Sequence, residues 1–250
     1  MTEKELIVFD LDGTLTESKQ NLAVAMAALL TRLLEKKPIA IIGGGKFERF
    51  RTQFLDKLNA PEQLLENLFL LPTDGAAFYR FNQSGWELVY QENLSAEEKR
   101  EIIVAFEKTF QELDYSHPVE VYGELIEDRG SQITFSALGQ EAPLELKEQW
   151  QKEKTAQRME IAEVVQKYLP DFTVRVAGLT SIDVTRLGID KAYGLRQMEK
   201  YLGIPLGDML FVGDAIFPGG NDYAVVSTGV EYLTVSGPTE TQTVIKKLLE

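Results

Sequence analysis

Asp10, Asp12, Asp214, Asp222 and Lys191 are the residues of this 250-residue chain best suited by type and spacing to chemistry. Two carboxylates two residues apart, in Asp10-Leu11-Asp12-Gly13-Thr14, can divide the work of a nucleophile and a proton carrier. A late lysine, with Gly213-Asp214 and Pro218-Gly219-Gly220-Asn221-Asp222, adds a fixed cation and acidic groups for a metal. Together these are the parts that phosphoryl transfer requires. Each acidic cluster follows an apolar run, Leu6-Ile7-Val8-Phe9 or Met209-Leu210-Phe211-Val212, and such runs mark parallel strands covered on both faces. Ligand crevices of open α/β sheets lie beyond the carboxyl ends of such strands. Carboxylates massed behind a buried strand are costly without a cation, which favours chemistry over a merely solvated strand end.

Composition narrows the remaining classes. Hydrophobic residues make up 44% of the chain, ordinary for a folded protein. Cysteine is absent, which excludes disulfides, thiolate catalysis and cysteine-ligated zinc, and the single histidine, His117, has no histidine partner for a triad or metal site. A net charge of −13 argues against nucleic-acid and anionic-membrane surfaces, which need clustered cations. The acidic start Met1-Thr2-Glu3-Lys4-Glu5 has no signal-peptide pattern, and no apolar run reaches membrane-spanning length, so a cytoplasmic location is expected.

The elements that must position these residues alternate strand and helix. Leu22, Met26, Leu29, Leu30, Leu33 and Leu34 recur at helical spacing, and Pro38-Ile39-Ala40-Ile41-Ile42 reads as a second strand ending in Gly43-Gly44-Gly45. A helix with Phe47, Phe50, Phe54, Leu55 and Leu58 on one face follows, then the short run Leu68–Leu71 and a turn at Asp74-Gly75. The middle changes character. Ser95-Ala96-Glu97-Glu98 is a capping box before Ile102, Ile103, Phe106 and Phe110, while Gln132–Ser136 and Phe172-Thr173-Val174-Arg175-Val176 read as half-exposed strands. Helical signal returns at Ile161, Val164, Val165 and Tyr168, and a second capping box, Thr239-Glu240-Thr241-Gln242, opens a last helix. The fold class expected is α/β, a doubly wound parallel core sheet with an inserted α+β cap: core over 1–82, cap over 83–186, core again over 187–250.

The ordered set Asp10-x-Asp12-Gly13-Thr14, Lys191, Gly213-Asp214 and Asn221-Asp222 resembles the signature of the haloacid dehalogenase-like phosphatases, and the long insertion resembles their type IIB cap. Ile41-Ile42-Gly43-Gly44-Gly45-Lys46-Phe47, Leu71-Pro72-Thr73-Asp74-Gly75 and the Gly213 to Asp222 segment look like the eukaryotic-type phosphomannomutases and their bacterial relatives. The resemblance implies that Asp10 accepts the phosphoryl group and that Asp12 protonates the leaving oxygen. It implies that Lys191 offsets negative charge and that Mg²⁺ is held by Asp10, the main-chain carbonyl of Asp12, and Asp214. Asp222 and Asn221 would serve as ligands through water or as supports, with helix capping an alternative for Asp222. Backbone groups of Gly13 and Thr14, and of Gly43 and Gly44, would face the phosphate.

Two departures from that pattern bear on activity. Most relatives place Ser or Thr at the end of the second strand, where this chain has Gly43-Gly44, as the phosphomannomutase branch does. In the cap, Arg129 stands where the mutases grip the distal phosphate of a sugar bisphosphate, but Gln140 replaces a second arginine and cannot reproduce a bidentate cationic clamp. Lys19 stands where the mutases have Arg, and Ser181 and Asp183 match residues that contact the sugar. The sequence therefore ranks a Mg²⁺-dependent phosphohydrolase of a small phosphorylated metabolite, a sugar phosphate first, above a phosphomannomutase-like mutase. The expected protein is a monomer or homodimer.

Overall fold

The structure, a computed structural model, describes residues 4–18 and 20–250; Lys19 lies outside the described residues. The chain divides into two compact units, residues 1–91 with 190–250, and residues 92–189. In the first unit the strands are β1 (Leu6–Asp10), β2 (Ile39–Ile42), β3 (Leu68–Leu71), β4 (Ala77–Asn82) and β5 (Gly85–Gln91). The second unit holds β6 (Ile126–Asp128), β7 (Gln132–Ser136), β8 (Phe172–Ala177) and β9 (Ser181–Arg186); β10 (Met209–Gly213) and β11 (Glu231–Thr234) return to the first.

The seven-stranded sheet of the first unit runs β11-β10-β1-β2-β3-β4-β5, parallel from β11 to β3 and antiparallel through β4 and β5. The chain leaves β1 toward β2 on one side, while β10 pairs on the other, so the carboxyl end of β1 is the topological switch point. Side-chain alternation assigns the two faces. Ile7, Phe9, Ile39, Ile41, Leu210 and Val212 pack on Met26, Leu30 and Leu33 of helix Val24–Leu34 and on Ile245 of helix Pro238–Leu249. Leu6, Val8, Ala40, Ile42, Met209 and Phe211 pack on Leu195 and Met198 of helix Lys191–Leu202, and on Val225. Both faces are covered, as continuous apolar strands require.

The inserted unit was expected to begin at residue 83. Gly85–Gln91 instead pairs with β4, because Gly85, at φ 105°, turns the chain back at Asn82 and extends the first sheet. The second unit is an antiparallel sheet, β6-β7-β9-β8, with Ile133, Phe135, Ile182 and Val184 packed on Ile102, Phe106, Ile161 and Val165 of helices Ala96–Glu112 and Leu144–Tyr168. Its other face presents Gln132, Thr134, Ser136, Ser181, Asp183 and Thr185, all buried, where half-exposed strands were expected. Ile103, expected inward, is exposed on the outer side of its helix.

Ser95 and Glu98 form the expected capping box, and Glu98 also accepts Arg186 Nε at 2.6 Å and Nη2 at 2.7 Å. The Arg186 hydrogen bonds, with help from the Ser95 N–H, hold the Glu98 carboxyl down to about 2. A depressed carboxylate stabilises the fold fully above the ordinary glutamate range near ~4.3, and that stability is lost as pH falls toward its folded value. Glu98→Gln should lower stability at pH 7 by about 1 kcal/mol, discounted for solvent at this half-buried pair, and the gap to wild type should narrow on acidification below about pH 5 and close only toward the folded value of about 2. Thermal denaturation across that range checks it. The second expected box is absent: Pro238 opens the last helix at Gly237, and Glu240 instead accepts the N–H and hydroxyl of Ser236, both at 2.8 Å.

Candidate active site

Asp10 is the last residue of β1, 2% exposed, and its Oδ1 accepts Lys191 Nζ at 2.5 Å. Lys191 is fully buried at the first position of helix Lys191–Leu202, whose start is capped by Asp190 accepting the Tyr193 N–H at 2.9 Å. The same ammonium also donates to Asp222 Oδ1. Asp222 accepts the Ala215 N–H on Oδ2 at 3.1 Å and makes no side-chain capping bond, so its helix-cap alternative gives way to a tie between Lys191 and the loop after β10. Asp214, directly after β10, accepts the Thr14 hydroxyl at 3.2 Å. Carboxylate oxygens of Asp10, Asp214 and Asp222 all lie within 4.8 Å of one another.

Electrostatics explain the lysine. Burial works against the Lys191 ammonium, but Asp10, Asp222 and Asp74 outweigh it and hold the group above the ordinary lysine range, so it stays charged. Burial raises Asp10 well above the usual carboxylate range; Lys191 opposes this, and Asp222 and Asp214 add to it. Burial and Asp222 likewise raise Asp214. Three carboxylates thus face one ammonium, and Asp10 Oδ2 is buried with no hydrogen-bond partner among the described residues. A compact cluster of hard oxygen donors with unmet negative charge fits a divalent cation. The Asp12 side chain is turned elsewhere, accepting Gln53 Nε2 at 2.9 Å, which is compatible with a carbonyl as the Asp12 metal ligand.

The loops hold these groups by close backbone approach. Gly13 adopts φ 97°, and a Cβ there would come within 2.6 Å of Asp214 Oδ2. Its N–H, expected to face a phosphate, donates to the Thr16 carbonyl at 2.8 Å. The Gly43 N–H is likewise engaged: it continues the β2–β3 ladder to the Leu71 carbonyl at 3.2 Å, while Gly44 follows half-buried. Gly75, at φ 90°, lets its turn lie against Gly194 of the helix bearing Lys191; an added Cβ would sit 2.6 Å from Gly194 Cα. Thr73 and Asp74 in that turn take left-handed φ of 51° and 54°, an uncommon conformation beside an active site. Asp74, read from sequence as a turn residue, thus joins the field on Lys191. Asn221 lies half-buried next to Asp222.

The second unit gathers Arg129, Gln140, Ser181 and Asp183, the residues expected near a sugar. Arg129 Nε donates to Glu127 Oε2 at 2.8 Å and Nη2 to Gln140 Oε1 at 3.2 Å. Asp183 Oδ1 accepts the Thr134 hydroxyl at 2.7 Å, and Thr134 in turn accepts Gln132 Nε2 at 2.9 Å. Ser181 bonds Ser136 at 3.3 Å. Sequence reasoning missed Glu127, whose pairing with a cation two residues on is invisible until β6 forms.

Acidic residues at the carboxyl ends of β1 and β10, a buried lysine and a separate inserted unit define a haloacid dehalogenase-like phosphoryl-transfer enzyme. The fold is shared with an IMP-nucleotidase of Plasmodium falciparum, TM-score 0.72 at 18% identity over 98% of this chain and 68% of that one. A haloacid dehalogenase-like hydrolase from Bacteroides thetaiotaomicron is also similar, TM-score 0.62 at 16% identity over 98% and 99% of the two chains. The eukaryotic phosphomannomutase family model matches residues 26–250, and the chain belongs to that family. Curated relatives include a phosphomannomutase of Saccharomyces cerevisiae, 30% identical over 88% of this chain and 84% of its own. A probable phosphomannomutase of Caenorhabditis elegans is 26% identical over 100% and 97%.

Proposed function

We propose that this protein is a Mg²⁺-dependent phosphohydrolase that removes phosphate from a small sugar phosphate through an aspartyl-phosphate on Asp10. The observation that carries the reading is the pair formed by Lys191 and Asp10: the lysine holds one oxygen of a buried carboxylate whose other oxygen has no hydrogen bond. In the first step Asp10 attacks phosphorus, the P–O ester bond breaks, and Asp12 delivers a proton to the leaving oxygen. In the second, Asp12 takes a proton from water as the water oxygen attacks phosphorus, releasing phosphate and restoring Asp10. Lys191 offsets the negative charge of the transferring group. Asp10, Asp214 and the Asp12 carbonyl are the proposed metal ligands, with Asp222 fixing Lys191 behind them. A bound Mg²⁺ supplies further charge neutralisation at the phosphoryl oxygens.

Hydrolysis is favoured over mutase action by the state of the second unit's cations. A mutase must grip both phosphates of a bisphosphate intermediate. Here Gln140 replaces one expected arginine, and Arg129 is already paired with Glu127, the two side chains 7% and 15% exposed. A neutralised guanidinium attracts a second phosphate less than an unpaired one. The mutase reading keeps the support of the family and of relatives named phosphomannomutase. Phosphate release from a panel of sugar and polyol monophosphates with Mg²⁺ tests the proposal; no release from any member would sink it.

Metal binding has its own readout. At a Mg²⁺ concentration of about 100 Kd, binding to the folded state alone should add about 2.7 kcal/mol, on the order of 5–10 °C in thermal midpoint for a chain of this size. Asp214→Asn should remove most of that shift without added substrate. An equal shift in the variant would show that Mg²⁺ binds elsewhere.

A further inference from the structure

The geometry points to Gln53 as the residue that positions Asp12 for proton transfer, an inference that rests on the acid–base role proposed for Asp12. Gln53 stands in a π-helical turn, Phe50–Leu55, inside the helical segment 47–58. Such turns are rare and recur at functional sites. Its side chain is 3% exposed and shares the inward face with Phe50 and Phe54, which anchor the segment in the first unit's core. A buried amide among phenylalanines must be fully hydrogen-bonded to be tolerated.

Its partners fix which way the amide faces. Arg49 Nε donates to Gln53 Oε1 at 2.9 Å, and a guanidinium can only donate, so the carbonyl end must face Arg49. The NH₂ end therefore faces the loop after β1, where it donates to Asp12 Oδ1 and to Thr16 Oγ1, both at 2.9 Å. Thr16 in turn donates to the Leu11 carbonyl at 3.3 Å, tying the amide to the backbone on either side of Asp12. The Gln53 carbonyl accepts the Leu22 N–H at 2.9 Å, which pins the donor's own backbone. This relay from Arg49 through Gln53 to Asp12 crosses 41 residues of sequence at its last link.

Holding one carboxylate oxygen sets the rotation of the Asp12 carboxylate plane, so the other oxygen keeps a constant direction. A proton carrier serves both steps only if its transferring oxygen is held within a fraction of an ångström, since a misplacement of about 1 Å can cost 10²-fold. Gln53 does not touch the reacting atoms; it is a positioning residue.

The experiment compares kcat/KM for a hexose 6-phosphate, whose alkoxide must be protonated as it leaves, with p-nitrophenyl phosphate, whose leaving phenolate needs no proton. Gln53→Glu is the sharper variant, since it keeps side-chain size and the Arg49 contact while removing the donor toward Asp12; Arg49→Met removes the guanidinium that sets which way the Gln53 amide faces. In Gln53→Glu, kcat/KM should fall about 100-fold for the hexose phosphate and less than about fivefold for the aryl phosphate, at a lowered thermal midpoint because the new carboxylate is buried facing Asp12. Arg49→Met should show the same selectivity at smaller amplitude. Equal loss for both substrates, or no loss, overturns the inference. Asp12→Asn run alongside separates the two layers: selective loss there but not in Gln53→Glu removes only the role of Gln53. Non-selective loss in Asp12→Asn removes the acid–base reading and this inference with it.

Discussion

Asp10→Asn should reduce phosphate release by on the order of 10⁴-fold or more while leaving the fold at least as stable as wild type. Both halves follow from the site. An amide cannot serve as the nucleophile, and no described residue sits where a second carboxylate could replace it, since Asp214 and Asp222 are engaged by Thr14, Lys191 and Ala215. Stability is kept because Asp10 is held above the ordinary carboxylate range by burial, against Lys191 and with Asp222 and Asp214 adding to the shift. Removing one negative charge relieves that crowding, and Lys191 still has Asp222. Steady-state turnover and a thermal scan on the same preparation check both parts. A variant with a tenth of wild-type turnover would move the nucleophile elsewhere.

Lys191→Met should behave differently, losing activity and stability together. Methionine is close in volume and apolar, so packing at this fully buried position is nearly kept. What is lost is the one ammonium between Asp10 and Asp222, leaving buried carboxylates uncompensated. Removing one partner of a buried ion pair typically costs about 3–5 kcal/mol, here on the order of 10 °C in thermal midpoint. Mg²⁺ should recover part of the lost stability, because a cation among the same carboxylates replaces part of the missing charge, but should not recover turnover. A midpoint unchanged from wild type without metal would mean that the carboxylates are neutral in the folded protein and that Lys191 is not their counter-ion.

The parts of the molecule legible in the sequence are those whose physics is local. Leu6–Phe9 and Met209–Val212 announce buried parallel strands because nothing polar interrupts them, and the acidic residues behind them therefore announce a site. The structure brings Asp10, Asp214, Asp222 and Lys191 together at those strand ends. The Ser95–Glu98 box was legible for the same reason, being four residues long. The Thr239–Gln242 box was misleading because Pro238, with φ already suited to a helix start, captured the first position.

What escaped depends on residues far apart. Gln53 looks like any glutamine of an amphipathic segment until Asp12 and Thr16 fold over it. Asp74 reads as a turn until Gly75 and Gly194 bring its loop beside Lys191. The alternation in Gln132–Ser136 implied one wet face, yet that face is buried, with Thr134 paired to Asp183 across the sheet and Gln132 to Thr134. Hairpin β4–β5 is hard to see in the sequence because its alternation is weak and its turn reads as the start of an inserted unit.

The most direct measurement is ³¹P NMR of the protein with Mg²⁺, a hexose 1-phosphate and a catalytic amount of the corresponding bisphosphate. Hydrolysis through Asp10 predicts that the 1-phosphate signal is replaced by inorganic phosphate, with no 6-phosphate appearing and no change in Asp10→Asn samples. A 6-phosphate signal growing at the expense of the 1-phosphate, without inorganic phosphate, would contradict it and show that Arg129, even paired with Glu127, holds a second phosphate well enough for a mutase.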